Sequence, residues 1–89
     1  MSDRLYLVHV DPGAAHEQAM EALDAIALAP GLLLARSAET RSRLYHRVKR
    51  ATGTRALLVG RLAGHPKFMG MAPGSLAALR RWDDLAGGG

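Results

Sequence analysis

Seven basic residues between positions 36 and 55 are the strongest chemical feature of this 89-residue sequence. Most of them stand on a segment with helical periodicity. Seven cations over twenty residues match the repeated negative charge of a phosphate backbone, and each neutralised phosphate would make binding steeply salt-dependent. An acidic protein surface, including the acidic N-terminal part of a second copy of the chain, attracts the same charge and is the partner that we predict first, with nucleic acid as the alternative. The predicted partner-binding residues are Arg36, Arg41, Arg43, Arg47, Lys49, Arg50 and Arg55.

Four histidines are the other side chains suited to acid–base or metal chemistry. His16 is followed by Glu17 at the predicted start of a helix, where the helix dipole favours a neutral ring. His9, His46 and His65 have no spacing typical of a zinc site. We therefore predict no catalytic residue, no metal and no cofactor, and interpret His16 and Glu17 as a solvated pair.

Composition and charge exclude several classes of protein. The absence of cysteine excludes thiolate nucleophiles, disulfides and cysteine-bound metal centres. Residues 1–35 carry one cation against five carboxylates, whereas residues 36–67 carry nine cations against one. The apolar run 31–35 is far shorter than the roughly 20 residues of a membrane span, and no secretory signal is visible. We expect a single cytoplasmic domain over residues 1–86, followed by a flexible glycine tail at 87–89.

Hydrophobic patterning predicts seven elements in the order β-α-β-α-β-β-α. The first strand reads as covered on both faces, because its apolar residues are nearly continuous. Asp11 is a candidate cap for the first helix, Ser37 or Thr40 for the second, and Gly53 ends the second helix. The predicted strands cover 5–10, 32–35, 56–62 and 67–71, and the predicted helices cover 13–28, 40–51 and the segment from 73 onward.

This order specifies one small architecture. The first two strands should be parallel through a right-handed crossover, and the last two antiparallel. Strands that are apolar on both faces require helices on both sides of the sheet. A ferredoxin-like order needs a hairpin between the first two helices, and residues 30–40 offer room for only one strand. The predicted fold is therefore α/β, with a four-stranded mixed sheet and helices on both faces.

The same order is that of a minimal thioredoxin fold, and three segments resemble a glutaredoxin. Residues 11–20 stand where that family has a proline-containing loop, its C-x-x-C motif and the first helix. Residues 52–59 are similar to the family's approach to its third strand, and Lys-Phe-Met-Gly at 67–70 is similar to its fourth. The resemblance implies a thioredoxin-like domain whose active-site loop is degenerate, because a chain without cysteine cannot exchange disulfides. This loop consists of Ala14, Ala15, His16 and Glu17.

These observations predict a non-catalytic, cysteine-less binding module that acts through its basic helix on an acidic protein or nucleic-acid partner. The alternative is a small dimeric α+β ligand-binding protein or enzyme that uses its histidines and buries a sheet face between two chains. Lys67, with Gly70 and the start of the last helix, is compatible with an anion site, although a helix cap is the simpler interpretation. The identity of the partner and the oligomeric state stay open.

Overall fold

The structure is a computed structural model that describes residues 3–85. The elements are β1 (Arg4–His9), α1 (Ala14–Ala22), β2 (Asp24–Ala29), β3 (Leu32–Ser37), α2 (Arg41–Thr52), β4 (Leu58–Leu62) and α3 (Ser75–Leu85). The four strands form one sheet in the order β2-β3-β1-β4, and every neighbouring pair is antiparallel. This is the split β-α-β topology of ferredoxin-like folds, with one further helix at the end. The predicted α/β class with a four-stranded sheet is confirmed.

The predicted helix over 13–28 is wrong in its second half. α1 ends at Ala22, and Leu23 already has extended backbone dihedrals. In β2 large and small side chains alternate, and Ile26 and Leu28 are buried on one face of the sheet. Alanine fits a helical face and a strand face alike, so the spacing of these residues does not separate the two. Pairing with β3 and burial of the two large side chains stabilise the strand over the helix.

This extra strand changes both the element order and the type of sheet. Pro30 and Gly31 form a two-residue turn between β2 and β3. Residues 30–40 hold only one strand, as predicted, but the other strand of the hairpin lies before Pro30. The observed order is therefore β-α-β-β-α-β-α rather than the thioredoxin-like β-α-β-α-β-β-α. The sheet is antiparallel rather than mixed, because β3 separates β1 from β2.

The segment predicted as the fourth strand, residues 67–71, forms no strand within the described part of the chain. Phe68 packs against the core, while the neighbouring Met69 is 91% exposed. Further along, the N–H of Ala72 donates to the carbonyl of Leu28 on the outer strand β2, at 2.7 Å. The segment is therefore a loop that contacts the sheet edge without extending the sheet.

Helices on both faces of the sheet, as predicted, are confirmed. One face presents Tyr6, Val8 and Leu33 to α1 and α2, and all three side chains are fully buried. The other face presents Leu34 to Leu79 of α3. Two apolar clusters therefore enclose the sheet. α2 packs with α1 on one face, and α3 packs on the opposite face. The helix residues buried in the first cluster are Ala15, Ala19, Leu44 and Val48.

The ends of α2 are capped as predicted, whereas α1 begins differently. Thr40 Oγ1 accepts a hydrogen bond from the N–H of Arg43, and the N–H of Gly53, which has a positive φ, donates to the carbonyl of Lys49. Asp11 does not cap α1, whose first flanking residue is Gly13. Its carboxylate instead accepts from the N–H of Arg55 at 2.7 Å, and this bond lowers the pKa of Asp11. Asp11 thereby ties the end of β1 to the loop after α2.

Two other predictions concern the chain's tail and its environment. The proposed glycine tail at 87–89 lies outside the described residues. Between positions 3 and 85 no helix combines the length and the apolar character needed to cross a bilayer.

Candidate functional site

α2 carries five cations and no carboxylate over its twelve residues. Leu44 and Val48 are fully buried and fix which side of the helix faces the core. The opposite side is solvent-exposed and borders a surface groove of about 390 Å³. The groove is lined by Glu39, Ser42, Arg43, His46, Arg47 and Arg50. The exposed side of the helix, called the α2 basic face, consists of Arg43, His46, Lys49 and Arg50. Within residues 3–85 its three cations, Arg43, Lys49 and Arg50, form no ion pair with any carboxylate.

Arg47 lies on the same helix but is occupied by the protein itself. Its guanidinium contacts both carboxylate oxygens of Glu39, with Nη2 to Oε1 at 2.6 Å, and its Nη1 donates to the carbonyl of Ala22 at 2.7 Å. The hydrogen bond from Arg47 lowers the pKa of Glu39, and Ser37 Oγ adds a further bond to the same carboxylate. Arg47 therefore joins α2 to the end of α1. It lines the same groove as Arg43 and Arg50, but its guanidinium is already paired with Glu39.

Arg36 is also removed from the predicted site, because it lies on the other face of the sheet. Its Nε donates to Asp24 at 2.7 Å and lies 3.9 Å from Asp3. The guanidinium also stacks over the ring of Trp82 on α3, 4.8 Å from its centroid. Arg55 is exposed in the loop after α2, where its backbone N–H is held by Asp11. The structure thus brings together only part of the seven-residue set.

Arg41 belongs to a second cluster, and sequence reasoning missed its two partners, Arg4 and Arg61. The three arginines come from α2, β1 and β4 and line one surface cavity of about 370 Å³. Strand register brings them together. Arg61 on β4 lies opposite Tyr6 on β1, and Arg4, two residues before Tyr6, lies on the same face of the sheet. No local sequence signal announces this convergence. The cavity, called the arginine cavity below, is lined by Arg4, Tyr6, Thr40, Arg41, Ser42 and Arg61.

The predicted degenerate loop at 14–17 lies at the start of α1. Ala15 is buried in the core, while Ala14 and Glu17 are exposed. The Nδ1 atom of His16 accepts a hydrogen bond from the N–H of Gly31 at 2.9 Å, so the half-buried ring is tied to the β2–β3 turn. His16 therefore has a structural partner, and Glu17 stays a solvated residue beside it.

The three remaining histidines are not assembled into a site. His9 lies opposite Leu58, at the start of β4, whereas His65 follows the other end of that strand. His46 is on α2, where its ring meets that of Tyr45 edge-on at 5.3 Å. No group of three or more potential metal-ligating side chains occurs among the residues that the structure covers.

The loop before α3 forms a cavity of about 440 Å³, but Lys67 does not line it. Gly70 and Gly74 are on its wall, together with Arg80. The hydroxyl and the N–H of the buried Ser75 both donate to the carbonyl of Ala72, at 2.7 and 3.1 Å, in the turn that precedes α3. Lys67 is therefore not part of this cavity wall, and the helix-cap interpretation stays a prediction.

No family model, curated protein or solved structure matches the chain, so the resemblance to the glutaredoxins stays a prediction, and the function is inferred from the surface chemistry of α2 and its surroundings.

Proposed function

We propose that the protein is a non-catalytic module that binds nucleic acid through phosphate contacts made by the α2 basic face. The observation that carries the proposal is the lack of ion pairs there: Arg43, Lys49 and Arg50 are exposed and form no ion pair within the described chain. Glu39 lines the same groove, but its carboxylate is paired with Arg47. Arg43 and Arg50 are two turns apart on the same side of the helix, about 10 Å along its axis. A row of guanidinium groups suits a row of phosphates, since each group can donate two parallel hydrogen bonds.

The chemistry of this surface favours a phosphate backbone over a folded protein partner. Protein interfaces depend on a central apolar anchor that is buried on binding. The exposed large apolar side chains of the described chain are Leu58, Met69, Met71 and Leu76. All four lie outside α2, so its basic face offers charge without an anchor. Binding to phosphates needs no such anchor, because release of counterions supplies the free energy.

The structure also favours contacts to phosphates over contacts to bases. Single-stranded RNA binds to many four-stranded sheets through aromatic rings exposed on the open sheet face. Here Tyr6 is fully buried on the face that α1 and α2 cover, and Trp82 packs beside Arg36 on the face that α3 covers. Such a base-stacking platform is not found in the described residues, so we expect salt-dependent binding with little sequence preference.

The alternative function, a dimeric α+β enzyme or ligand-binding protein, has less support from the same features. A dimeric barrel buries a sheet face between two chains, and in this protein α3 packs on that face through Leu79. The histidines named for such a site lie on separate elements. The proposal does not depend on any relationship to the glutaredoxins.

The test is fluorescence anisotropy of labelled single-stranded and duplex oligonucleotides, titrated with protein at several salt concentrations. Three phosphate contacts should give a slope of log K against log salt of about −2.7 on duplex DNA and about −2.1 on single strands. The double variant Arg43→Gln/Arg50→Gln should reduce the magnitude of the duplex slope by about 1.8. Both residues are exposed, so the variant should fold normally.

The matched control is Arg80→Gln/Arg81→Gln, which removes the same charge from exposed positions on α3. It should leave the slope nearly unchanged, since α3 lies on the opposite side of the sheet from α2. Equal losses in both double variants would show that net charge alone drives binding. Absence of binding at low salt would refute the proposal and direct the search to acidic proteins.

A further inference from the structure

We propose that the arginine cavity binds a phosphomonoester, and that its source is the terminal phosphate of a nucleic-acid strand bound along α2. This inference rests on the proposed function for its second part only. The primary observation is that three arginines from three different elements, Arg4, Arg41 and Arg61, line one cavity. Like charges repel one another, so their convergence is unfavourable unless an anion lies between them.

Among the described residues, the lining of the cavity contains no carboxylate. Asp3 precedes Arg4 in the sequence, but its carboxylate lies 3.9 Å from Arg36. Glu39 is the acidic residue nearest in sequence to Arg41, and its carboxylate is held by Arg47 and Ser37. Only its main chain contributes, because the Glu39 carbonyl accepts a hydrogen bond from the buried Tyr6 hydroxyl at 2.6 Å. The positive charge of the cavity is therefore not neutralised from within.

Arg4 is held in place by hydrogen bonds to groups that do not neutralise its positive charge. Its Nη1 donates to the carbonyls of Ala38 and Glu39, at 3.1 and 3.2 Å. Both acceptors are neutral, and a guanidinium has five N–H donors, so hydrogen-bonding capacity is left for a ligand. A guanidinium fixed in advance loses less conformational entropy when it binds an anion.

The first turn of α2 adds positive charge beside the cavity, and this placement of cations does not stabilise the helix. The first turn of a helix favours carboxylates, because the dipole is positive there. α2 has none in that turn and carries Arg41 and Arg43 instead. Lys49 and Arg50, by contrast, lie in the last turn, where the dipole favours cations. Violations of local preferences that stability does not explain are typical of functional sites.

A phosphomonoester fits this set of donors better than a carboxylate does. It carries a charge of nearly −2 and three terminal oxygens, enough acceptors for more than one guanidinium. The hydroxyl groups of Thr40 and Ser42 are also on the wall. Ser42 lines both this cavity and the groove of the α2 basic face, so the two are adjacent. A strand whose backbone follows the basic face would therefore reach the cavity with its end.

The experiment compares single strands of one sequence with a 5′-phosphate, a 3′-phosphate or hydroxyl groups at both ends. We expect one of the phosphorylated strands to bind about tenfold more tightly than the hydroxyl-ended strand, as one charge-assisted hydrogen bond provides. Arg61→Gln should abolish this preference. Arg80→Gln is the matched control and should retain it. Equal affinity for all three strands would overturn the inference and leave the proposed function intact.

A second measurement separates the cavity from the nucleic acid. Inorganic phosphate is titrated while the backbone amide resonances are followed by NMR. The amides of Arg41 and Ser42 should shift with saturation in the native protein and not in Arg61→Gln. If oligonucleotides fail to bind but these amides respond, the phosphate site stands and the nucleic-acid source is refuted. If they do not respond, the site itself is refuted.

Discussion

Replacement of Arg47 by methionine should destabilise the fold, and the joint replacement of Arg47 and Glu39 should leave the contact with nucleic acid intact. Methionine keeps much of the aliphatic stem and removes the guanidinium. Three atom pairs joining that guanidinium to Glu39 lie between 2.6 and 3.2 Å, and a fourth hydrogen bond reaches the Ala22 carbonyl. That carbonyl is near the end of α1, where no helical donor is available to it. The substitution therefore breaks a connection between two helices and a loop.

The expected loss follows from the geometry and exposure of this pair. Hydrogen bonds to charged groups contribute about 1.5–3 kcal/mol when buried. The side chains of Arg47 and Glu39 are 38% and 32% exposed, so solvent screening reduces that value. We expect Arg47→Met to lower the free energy of unfolding by about 1–2 kcal/mol, which corresponds to a decrease in Tm of roughly 5–15 °C for a domain of this size. Arg50→Met, one turn away and without a partner in the described chain, should change it by less than about 0.5 kcal/mol.

Urea unfolding followed by Trp82 fluorescence measures the first effect, since this single tryptophan packs against the α3-side cluster. Anisotropy with hydroxyl-ended oligonucleotides measures the second, and there Arg50→Met should weaken binding while the double variant Arg47→Met/Glu39→Gln does not. The double-mutant cycle of Arg47→Met and Glu39→Gln should give a coupling in stability of about 1 kcal/mol. An additive cycle, together with weaker binding by the double variant, would show that Arg47 contacts the nucleic acid and refute our assignment of the pair.

Three further outcomes follow from other contacts. Gly31→Ala should lower the free energy of unfolding in urea by about 1–3 kcal/mol, because the residue has a positive φ and an added Cβ would collide with the Val10 carbonyl. The control Gly64→Ala should be neutral, because Gly64 has an ordinary φ and open space around it. Since Arg47 lowers the pKa of Glu39, the stability that Glu39 contributes is present above its usual pKa of 4.5 and is lost as pH falls through the lowered value. Glu39→Gln should therefore flatten the acid limb of a Tm-against-pH profile, and a limb as steep as in the native protein would contradict this. Arg47→Met should reduce the terminal-phosphate preference, and adding Glu39→Gln should restore it, as measured by anisotropy.

The sequence predicts the fold class and most of the elements, but not their order in the sheet. Apolar runs locate β1, β3 and β4, and the caps Thr40 and Gly53 place the ends of α2 where the structure has them. One failure is at residues 24–29, where alternating alanines satisfy a period of 3.6 and a period of 2 alike. Only the pairing of Ile26 and Leu28 with the rest of the sheet decides between helix and strand. The other failure is at residues 67–71, which are predicted as a strand and form a loop. The missed strand and the false strand together convert an antiparallel sheet into a predicted mixed one.

The candidate site was predictable only as far as it is local. Helical periodicity correctly places Arg43 and Arg50 on one exposed side of α2. It also groups Arg47 with them as a binding residue. Periodicity does not reveal that Arg47 is paired with Glu39, because that pairing depends on where the loop before α2 lies. The arginine cavity has no local signature, since Arg4 and Arg61 are 57 positions apart and meet only through the β1–β4 register. Clusters that depend on strand pairing become visible only when the sheet order is known.

The two interactions of Glu39 link the stability of the fold to the charge of the cavity. Its carbonyl positions Arg4 and receives the Tyr6 hydroxyl, whereas its carboxylate turns away to Arg47. If that carboxylate were released, it would be the acid nearest in sequence to Arg41 and would compete with any bound anion. Arg47 therefore acts on the cavity without touching a ligand, because it keeps the Glu39 carboxylate occupied. A cation that is already paired within the protein thus preserves the positive charge of the cavity beside it.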